Sequence, residues 1–275
     1  MLTRIITALV ALCVLIPVLI FSNTWVLPIA VAIVCFIGTY EALKCIGTLK
    51  KPIISGVLLS LSAAVPILTR LVNHTCSVFV SMACIVFAVI LYFMTVLVFS
   101  KGTVGISEIS ISAFMSFYVI SGFSAIVFLH DRFDGGHYTY LLVFIGAWIT
   151  DVFAYFCGRL FGKHKLIPEV SPKKTVEGSI GGTLFSGVAF VLFGIILESI
   201  EIYVDQSHFQ LFVFGVIAAV VAQIGDLCMS ALKRHYGIKD FGKIFPGHGG
   251  VLDRFDSILS VSIVLLILNI VVSSI

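Results

Sequence analysis

Charged residues are scarce in this chain of 275 residues. Asp, Glu, Lys and Arg together make up 11% of the sequence, and hydrophobic residues make up 60%. Soluble domains carry about 25% charged residues, so the composition excludes an ordinary water-soluble enzyme, a disordered chain and a coiled coil. The mean hydropathy of +1.17 agrees with this exclusion. The composition therefore indicates a multi-pass membrane protein.

Several common site patterns are also missing. The seven cysteines show no C-x-x-C spacing, which favours free, packed thiols over disulfides or a zinc site. No G-x-x-x-x-G-K-[ST] sequence occurs, so a P-loop is excluded. The apolar run that follows Arg4 is long and lacks a small-x-small cleavage site, so we interpret it as a retained span and not as a signal peptide.

Long apolar runs are abundant. A helix needs about 20 apolar residues to cross a bilayer, and nine such segments can be placed. Runs such as Val78–Phe99 are apolar on every face, which favours helices over a transmembrane barrel. We therefore predict an all-α integral membrane protein with about nine transmembrane helices, at 5–22, 24–46, 52–72, 76–99, 108–129, 137–157, 179–200, 207–230 and 257–275.

The basic residues orient these spans. Nearly all of the 17 Lys and Arg residues fall on one side of the predicted membrane, and only Arg70 and Arg132 fall on the other. The positive-inside rule then predicts a cytoplasmic N-terminus and a C-terminus outside. We predict a membrane scaffold of five spans at 1–135 and a catalytic membrane region of four spans at 136–275, because the long cytoplasmic loops, 158–178 and 231–256, both lie in the second part.

Acidic residues cluster at two predicted spans. Gln223, Asp226, Ser230 and Lys233 lie on one stripe of a helix. If the last helix begins near Leu252, then Asp253, Asp256, Ser257 and Ser260 also share one face. Carboxylates that repel one another suit a cation, and oxygen ligands suit Mg²⁺ that keeps waters and substrate phosphates. The alternatives are a structural Asp–Lys pair for Asp226 and helix capping for Asp253 and Asp256.

Two basic, glycine-containing segments accompany these carboxylates. In the first, Gly247, Gly249 and Gly250 flank His248 and allow backbone N–H groups to approach an anion. Alone, this segment would be a solvated face or a patch for anionic lipid. The second begins with Asp151, Tyr155 and Gly158, spaced four and three, and continues through Arg159 and Ser171-Pro-Lys-Lys-Thr175 to Ser179. It predicts a phosphate site at a helix N-terminus, or else a basic membrane anchor with an N-cap at Ser179.

The first basic segment carries a family resemblance. Ser230-x-Leu-Lys-Arg-x4-Lys239-Asp240-x-Gly-x2-Phe-Pro-x-His248-Gly-Gly-Val-x-Asp253-Arg254-Phe-Asp256 resembles the signature of the CDP-diacylglycerol synthases, also called phosphatidate cytidylyltransferases. The second segment resembles two further stretches of that family. The chain departs from the family at Met229, where many members have Glu, and at Val152 and Phe153, where they have small residues.

The resemblance implies the reaction of CTP with phosphatidic acid to give CDP-diacylglycerol and pyrophosphate, with one or two Mg²⁺ ions. Asp226, Asp253 and Asp256 are then the expected metal ligands, and they are catalytic together with Lys233. Expected substrate-binding residues are Lys173, Lys174, Thr175, Ser179, Ser230, Arg234, Lys239, Asp240, His248 and Arg254. The expected partners are CTP, phosphatidic acid and the lipid bilayer of a bacterial inner membrane, without nucleic acid. A monovalent cation in the site and a homodimer are left open.

Three other functions are alternatives. A transporter would use Asp226 as an ion or proton site. A transporter would also have polar residues that continue to the far side of the membrane, whereas the polar stripes of this sequence end near one face. A CDP-alcohol phosphatidyltransferase would carry a D-G-x2-A-R pattern, which this sequence lacks. A CTP-dependent lipid kinase would transfer the γ-phosphate, and product analysis separates it from the predicted reaction.

Overall fold

The computed structural model describes residues 2–72, 75–132, 136–202, 206–247 and 249–273. Its helices and strands are α1 (Leu2–Ile20), α2 (Val26–Ile46), a 3-10 turn (Thr48–Lys50), α3 (Pro52–Leu71), α4 (Thr75–Phe99), α5 (Ile106–Arg132), a short α6 (Gly136–Thr139), α7 (Leu141–Phe161), β1 (Lys165–Ile167), β2 (Ser171–Thr175), α8 (Val176–Ser199), α9 (His208–His235) and α10 (Leu252–Ser273).

Eight of the described helices, α2 to α5 and α7 to α10, are long and apolar enough to cross a membrane. The prediction of an all-α, multi-pass membrane protein is therefore confirmed. The predicted sides of the two termini stay a prediction. The chain packs as two compact units, one formed by Met1–Val127 with Asp240–Asp253 and the other by Phe128–Lys239 with Arg254–Ile275. The division into scaffold and catalytic region is a functional prediction that this packing does not test.

The first unit is held together by an apolar core between α2, α3, α4 and the start of α5. Its centre is formed by Leu43, Ile54, Leu58, Val89, Phe93, Val104 and Ile109. Polar contacts close one end of this core, where the hydroxyls of Thr48 and Ser112 lie 2.8 Å apart and Lys51 forms an ion pair with Glu108 at 2.6 Å. Such contacts provide the polar groups with partners, which hydrocarbon chains of lipid cannot provide.

The second unit is built on three helices, α7, α8 and α9, that approach one another closely. A Cβ added at Gly182 of α8 would lie 2.7 Å from the carbonyl oxygen of Thr150 in α7, and one added at Gly215 of α9 would lie 2.7 Å from that of Ser186 in α8. Small residues at such crossings let membrane helices pack backbone to backbone. This close packing fixes the relative positions of the polar side chains on the three helices.

A two-stranded hairpin, which the sequence did not predict, connects α7 to α8. Strands β1 and β2 are antiparallel, with Lys165 paired to Thr175 and Ile167 to Ser171. Helix α8 then begins at Val176, and its N-cap is Thr175, whose hydroxyl accepts a hydrogen bond from the N–H of Gly178 at 3.2 Å. The alternative of an N-cap at Ser179 is therefore wrong, because the first turn of α8 already contains Gly178.

Candidate active site

A cavity of about 360 Å³ lies in the second unit, between the end of α7, the hairpin, the start of α8 and the middle of α9. Polar and basic side chains line it among smaller apolar ones. The polar lining residues are Asp151, Tyr155, Arg159, Ser171, Lys173, Lys174, Thr175, Ser179 and Gln223. The combination of several cations with carboxylate and hydroxyl groups suits a phosphorylated ligand.

An ion pair joins the hairpin to α9 at this cavity. The ammonium group of Lys174 contacts the carboxylate of Asp226, and the two side chains are 25% and 24% exposed. The hydroxyl of Ser230, one turn further along α9, donates to the same carboxylate at the long distance of 3.5 Å. Because both members of the pair are mostly withdrawn from water, their attraction is stronger than that of a surface pair.

Asp226 lies near two other carboxylates, and it repels those of Asp151 in α7 and Asp256 in α10. Lys174 and Arg254 attract Asp151, while Lys233 attracts Asp256. Three acidic groups with three basic partners in one region form a balanced network. A cation or an anion that binds here would have to replace some of these charge–charge interactions.

Gln223 fixes the wall between α8 and α9. Its amide nitrogen donates to the hydroxyl of Thr183 at 3.1 Å and lies 3.4 Å from the carbonyl oxygen of Ser179. Gln223 is buried, and these bonds link α9 to the first turns of α8 just inside the cavity. Its amide therefore holds the cavity wall instead of extending into the cavity.

The segment 240–253 belongs to the first unit and is folded around the carboxylate of Asp253. Asp253 is 7% exposed, and its Oδ2 accepts hydrogen bonds from the N–H groups of Phe241 at 2.8 Å and Gly250 at 2.9 Å. Gly247 and Gly249 have φ values of +80° and +88°, a backbone conformation that glycine adopts without strain. Phe245 and Gly249 also exchange backbone hydrogen bonds at 2.9 and 3.1 Å, so the chain turns back on itself here.

The comparison with known proteins identifies the family. The sequence model described as the cytidylyltransferase family matches residues 2–272. The chain belongs to this family. Proteins named phosphatidate cytidylyltransferase are similar to this chain over nearly its whole length. That of Staphylococcus haemolyticus is 34% identical over 258 residues, covering 94% of this chain and 95% of the relative. Those of Staphylococcus saprophyticus and Staphylococcus aureus (strain COL) are both 35% identical, over 259 and 260 residues, with the same coverage.

These findings confirm the resemblance drawn from the signature, and the chain is an enzyme. The apolar helices and the bacterial relatives agree with the predicted multi-pass bacterial membrane protein. The family model extends through the N-terminal helices, beyond the two segments that carry the resemblance.

The predicted site residues of the cytidylyltransferase fall into three groups, and their individual roles stay predictions. The first lies at the cavity of the second unit or beside it: Lys173, Lys174, Thr175, Ser179, Asp226, Ser230, Lys233, Arg254 and Asp256. The second is Asp253, folded into the first unit. The third is exposed at the end of α9 and just after it: Arg234, Lys239 and Asp240. His248 lies outside the described residues.

Four polar side chains that line the cavity from α7 and α9 were not among the predicted site residues, and neither was Ser171 of β2. Asp151, Tyr155 and Arg159 line the cavity from α7, with Arg159 donating to the Tyr155 hydroxyl at 2.9 Å. Their helical spacing along the predicted span could have identified them as site residues. The departures from the family at the neighbouring Val152 and Phe153 argued against Asp151. Gln223 is the fourth, and its place on the acidic stripe of α9 was its signal.

The residues around Asp226 meet part of what a magnesium ion requires from a protein. Oxygen donors from two carboxylates, Asp226 and Asp256, fit an ion that takes its other ligands from water and phosphate. Within the described ranges, however, no three His, Cys, Asp or Glu side chains converge closely enough to form a complete metal site. The structure therefore offers a pair of carboxylates paired with lysine, and not a closed cage of protein ligands.

Proposed function

We propose that this cytidylyltransferase transfers the cytidylyl group of CTP to phosphatidic acid, at the cytoplasmic surface of the membrane. The products are CDP-diacylglycerol and pyrophosphate. The observation that carries the proposal is the ion pair of Lys174 and Asp226 beside a basic cavity, in a chain whose relatives are named phosphatidate cytidylyltransferases. The signature residues on α9 and α10 belong to the same reaction by resemblance.

The chemistry is an attack of one phosphate on another. An oxygen of the phosphatidate phosphate bonds to the α-phosphorus of CTP, and the bond from that phosphorus to the bridging oxygen of the β-phosphate breaks. The second pKa of a phosphate monoester is near 6, so the attacking group is already ionised and needs no general base. Catalysis then depends on positioning and on charge neutralisation.

The residues of the cavity suit these two tasks. Lys173, Lys174 and Arg159 would neutralise phosphate oxygens, and the rigid wall formed by Gln223 would limit the orientations of the ligand. Lys233 and Arg254 lie near the carboxylates and would contribute further positive charge. Neutralising clustered phosphates brings two anions together that would otherwise repel.

Asp226 and Asp256 would hold Mg²⁺, with Asp253, one turn before Asp256 on α10, as a further predicted ligand. When bound, Mg²⁺ supplies charge neutralisation for the triphosphate and the leaving pyrophosphate. The protein's own part is to hold Asp226 and Asp256 close together and to supply lysine as a partner for Asp226 in the resting state.

The test uses purified protein in detergent with phosphatidic acid, with and without Mg²⁺, and CTP labelled at either the α or the γ position. We expect the α label in the lipid and the γ label in pyrophosphate, with both dependent on Mg²⁺. A γ label in the lipid would identify a lipid kinase instead. The absence of both labels from lipid would refute group transfer to phosphatidate.

A further inference from the structure

Glu41 is a carboxylate near the end of the apolar helix α2, and it is 2% exposed. Its Oε1 accepts a hydrogen bond from the N–H of Val251 at 3.1 Å, and its Oε2 accepts one from Leu252 at 2.9 Å. An ionisable side chain within a membrane helix is costly and usually serves a function. The reaction proposed above has no step that uses Glu41.

The signature segment is shaped around this carboxylate. A Cβ added at Gly250 would lie 2.6 Å from the carboxyl carbon of Glu41, and one added at Gly242 would lie 2.7 Å from the same carbon. Both distances are well below van der Waals contact, which is about 3.5–4.0 Å between carbons. Glycine at these two positions therefore lets the segment close on Glu41.

The same segment holds Asp253. The N–H of Gly250 donates to Asp253 Oδ2, while the next two N–H groups, those of Val251 and Leu252, donate to Glu41. Three successive backbone donors are thus divided between two carboxylates at the start of α10. Free N–H groups at a helix start are usually capped by a local Ser, Thr, Asp or Asn. Here Glu41 supplies that acceptor from a helix near the other end of the chain.

We propose that Glu41 is a positioning residue for cytidylyl transfer. Its carboxylate holds residues 250–252 in the conformation that orients Asp253. This inference rests on the proposed function, in which Asp253 takes part in catalysis. Since Glu41 acts through Asp253, its loss lowers the turnover rate and weakens the response to Mg²⁺, while the affinities for CTP and phosphatidate stay nearly unchanged.

The first test compares Glu41→Gln with Glu108→Gln. Glutamine keeps the volume of Glu41 but turns an NH₂ group toward one of the two N–H donors. Misplacement of a catalytic group by about 1 Å can cost about 100-fold in rate, so we expect kcat to fall by about 10- to 100-fold. The KM values for CTP and phosphatidate should stay within about twofold, and the Mg²⁺ concentration for half-maximal activity should rise. Glu108 pairs with Lys51 in the same unit, and its variant should keep wild-type kinetics.

A second variant approaches the same contact from the other side. Gly250→Ala places a methyl group against the Glu41 carboxylate, whereas Gly56→Ala in α3 meets open space. We expect Gly250→Ala to reproduce the fall in kcat and Gly56→Ala to leave it unchanged. If Glu41→Gln does not fold, Gly250→Ala decides the question.

Hydrogen exchange supplies a readout that does not depend on activity. The amides of Val251 and Leu252 should exchange faster in Glu41→Gln than in the wild type, with exchange elsewhere in α2 and α3 unchanged. A folded Glu41→Gln with wild-type kcat and an unchanged Mg²⁺ response overturns the inference, as does a loss of activity explained by the unfolded fraction alone. If the wild type itself makes no labelled CDP-diacylglycerol, the proposed function fails first and the role of Glu41 falls with it.

Discussion

Replacing Lys174 with methionine would remove the cation that pairs with Asp226 and leave the neighbouring carboxylates of Asp151 and Asp256 in place. Removing one partner of a buried pair costs about 3–5 kcal/mol, whereas surface pairs contribute about 0–1 kcal/mol. Because both side chains are about one quarter exposed, we expect Lys174→Met to lower the free energy of unfolding by about 1–3 kcal/mol without a divalent ion.

The same change should strengthen metal binding. With the proposed Mg²⁺ site, a divalent ion would compete with the Lys174 ammonium for Asp226 in the wild type, and the variant lacks this competitor. A gain of about 1.4 kcal/mol is a factor of ten in the dissociation constant. We therefore expect Mn²⁺, as a probe for Mg²⁺, to bind Lys174→Met at least about tenfold more tightly, and Mg²⁺ to restore its thermal stability.

The assay is a Mn²⁺ titration followed by electron paramagnetic resonance, with detergent-solubilised protein and no nucleotide, combined with thermal unfolding in EDTA and in Mg²⁺. Lys173→Met is the matched control, because it removes the same charge from the same cavity and leaves the ion pair intact. Weaker or equal Mn²⁺ binding by Lys174→Met would refute the reasoning, because Lys174 would then not compete with a metal at Asp226.

Three further substitutions test single contacts. Asp253→Asn keeps an oxygen for the two N–H donors but removes the charge, so we expect turnover to be lost in a folded protein, and wild-type turnover would remove Asp253 from the metal site. Thr175→Val removes the N-cap acceptor of α8 and should lower the free energy of unfolding by about 1 kcal/mol, while Thr175→Ser should not; equal stability in chemical unfolding would contradict the cap. Gly215→Ala brings a Cβ to 2.7 Å from a carbonyl oxygen of α8 and should cost about 1–3 kcal/mol, and a thermal midpoint equal to that of Gly56→Ala would argue against close packing of α8 and α9.

The helices could be predicted from the sequence because run length alone decides whether a segment can cross a bilayer. Their ends were less well predicted. Helix α9 continues five residues beyond the predicted 230, to His235, since Lys233, Arg234 and His235 fall in its last turn, where basic side chains interact favourably with the helix dipole. The hairpin was not predicted because β2, with the sequence SPKKT, has no alternation of apolar and polar residues.

Many of the polar residues at the cavity of the second unit were expected from the sequence, but their pairing was not. The stripe on α9 and the start of α10 followed from helical periodicity, because side chains three and four apart share a face. The partner of Asp226 did not follow, since Lys174 lies on a strand whose position depends on how α7 and α8 pack. Periodicity relates residues within one helix, and the contact of Lys174 with Asp226 depends on tertiary structure.

The contacts of Glu41 could not be predicted from the sequence. Glu41 is the only acidic residue in the first four predicted spans, and the glycines near residue 250 were expected to bring backbone N–H groups to an anion. The structure joins these two observations, because the anions that receive those N–H groups are the chain's own Glu41 and Asp253. Every residue except proline has a backbone N–H, so no sequence pattern distinguishes the donors that a buried carboxylate will accept. The glycine positions give a partial indication in the sequence, because a side chain at Gly250 would clash with the Glu41 carboxylate.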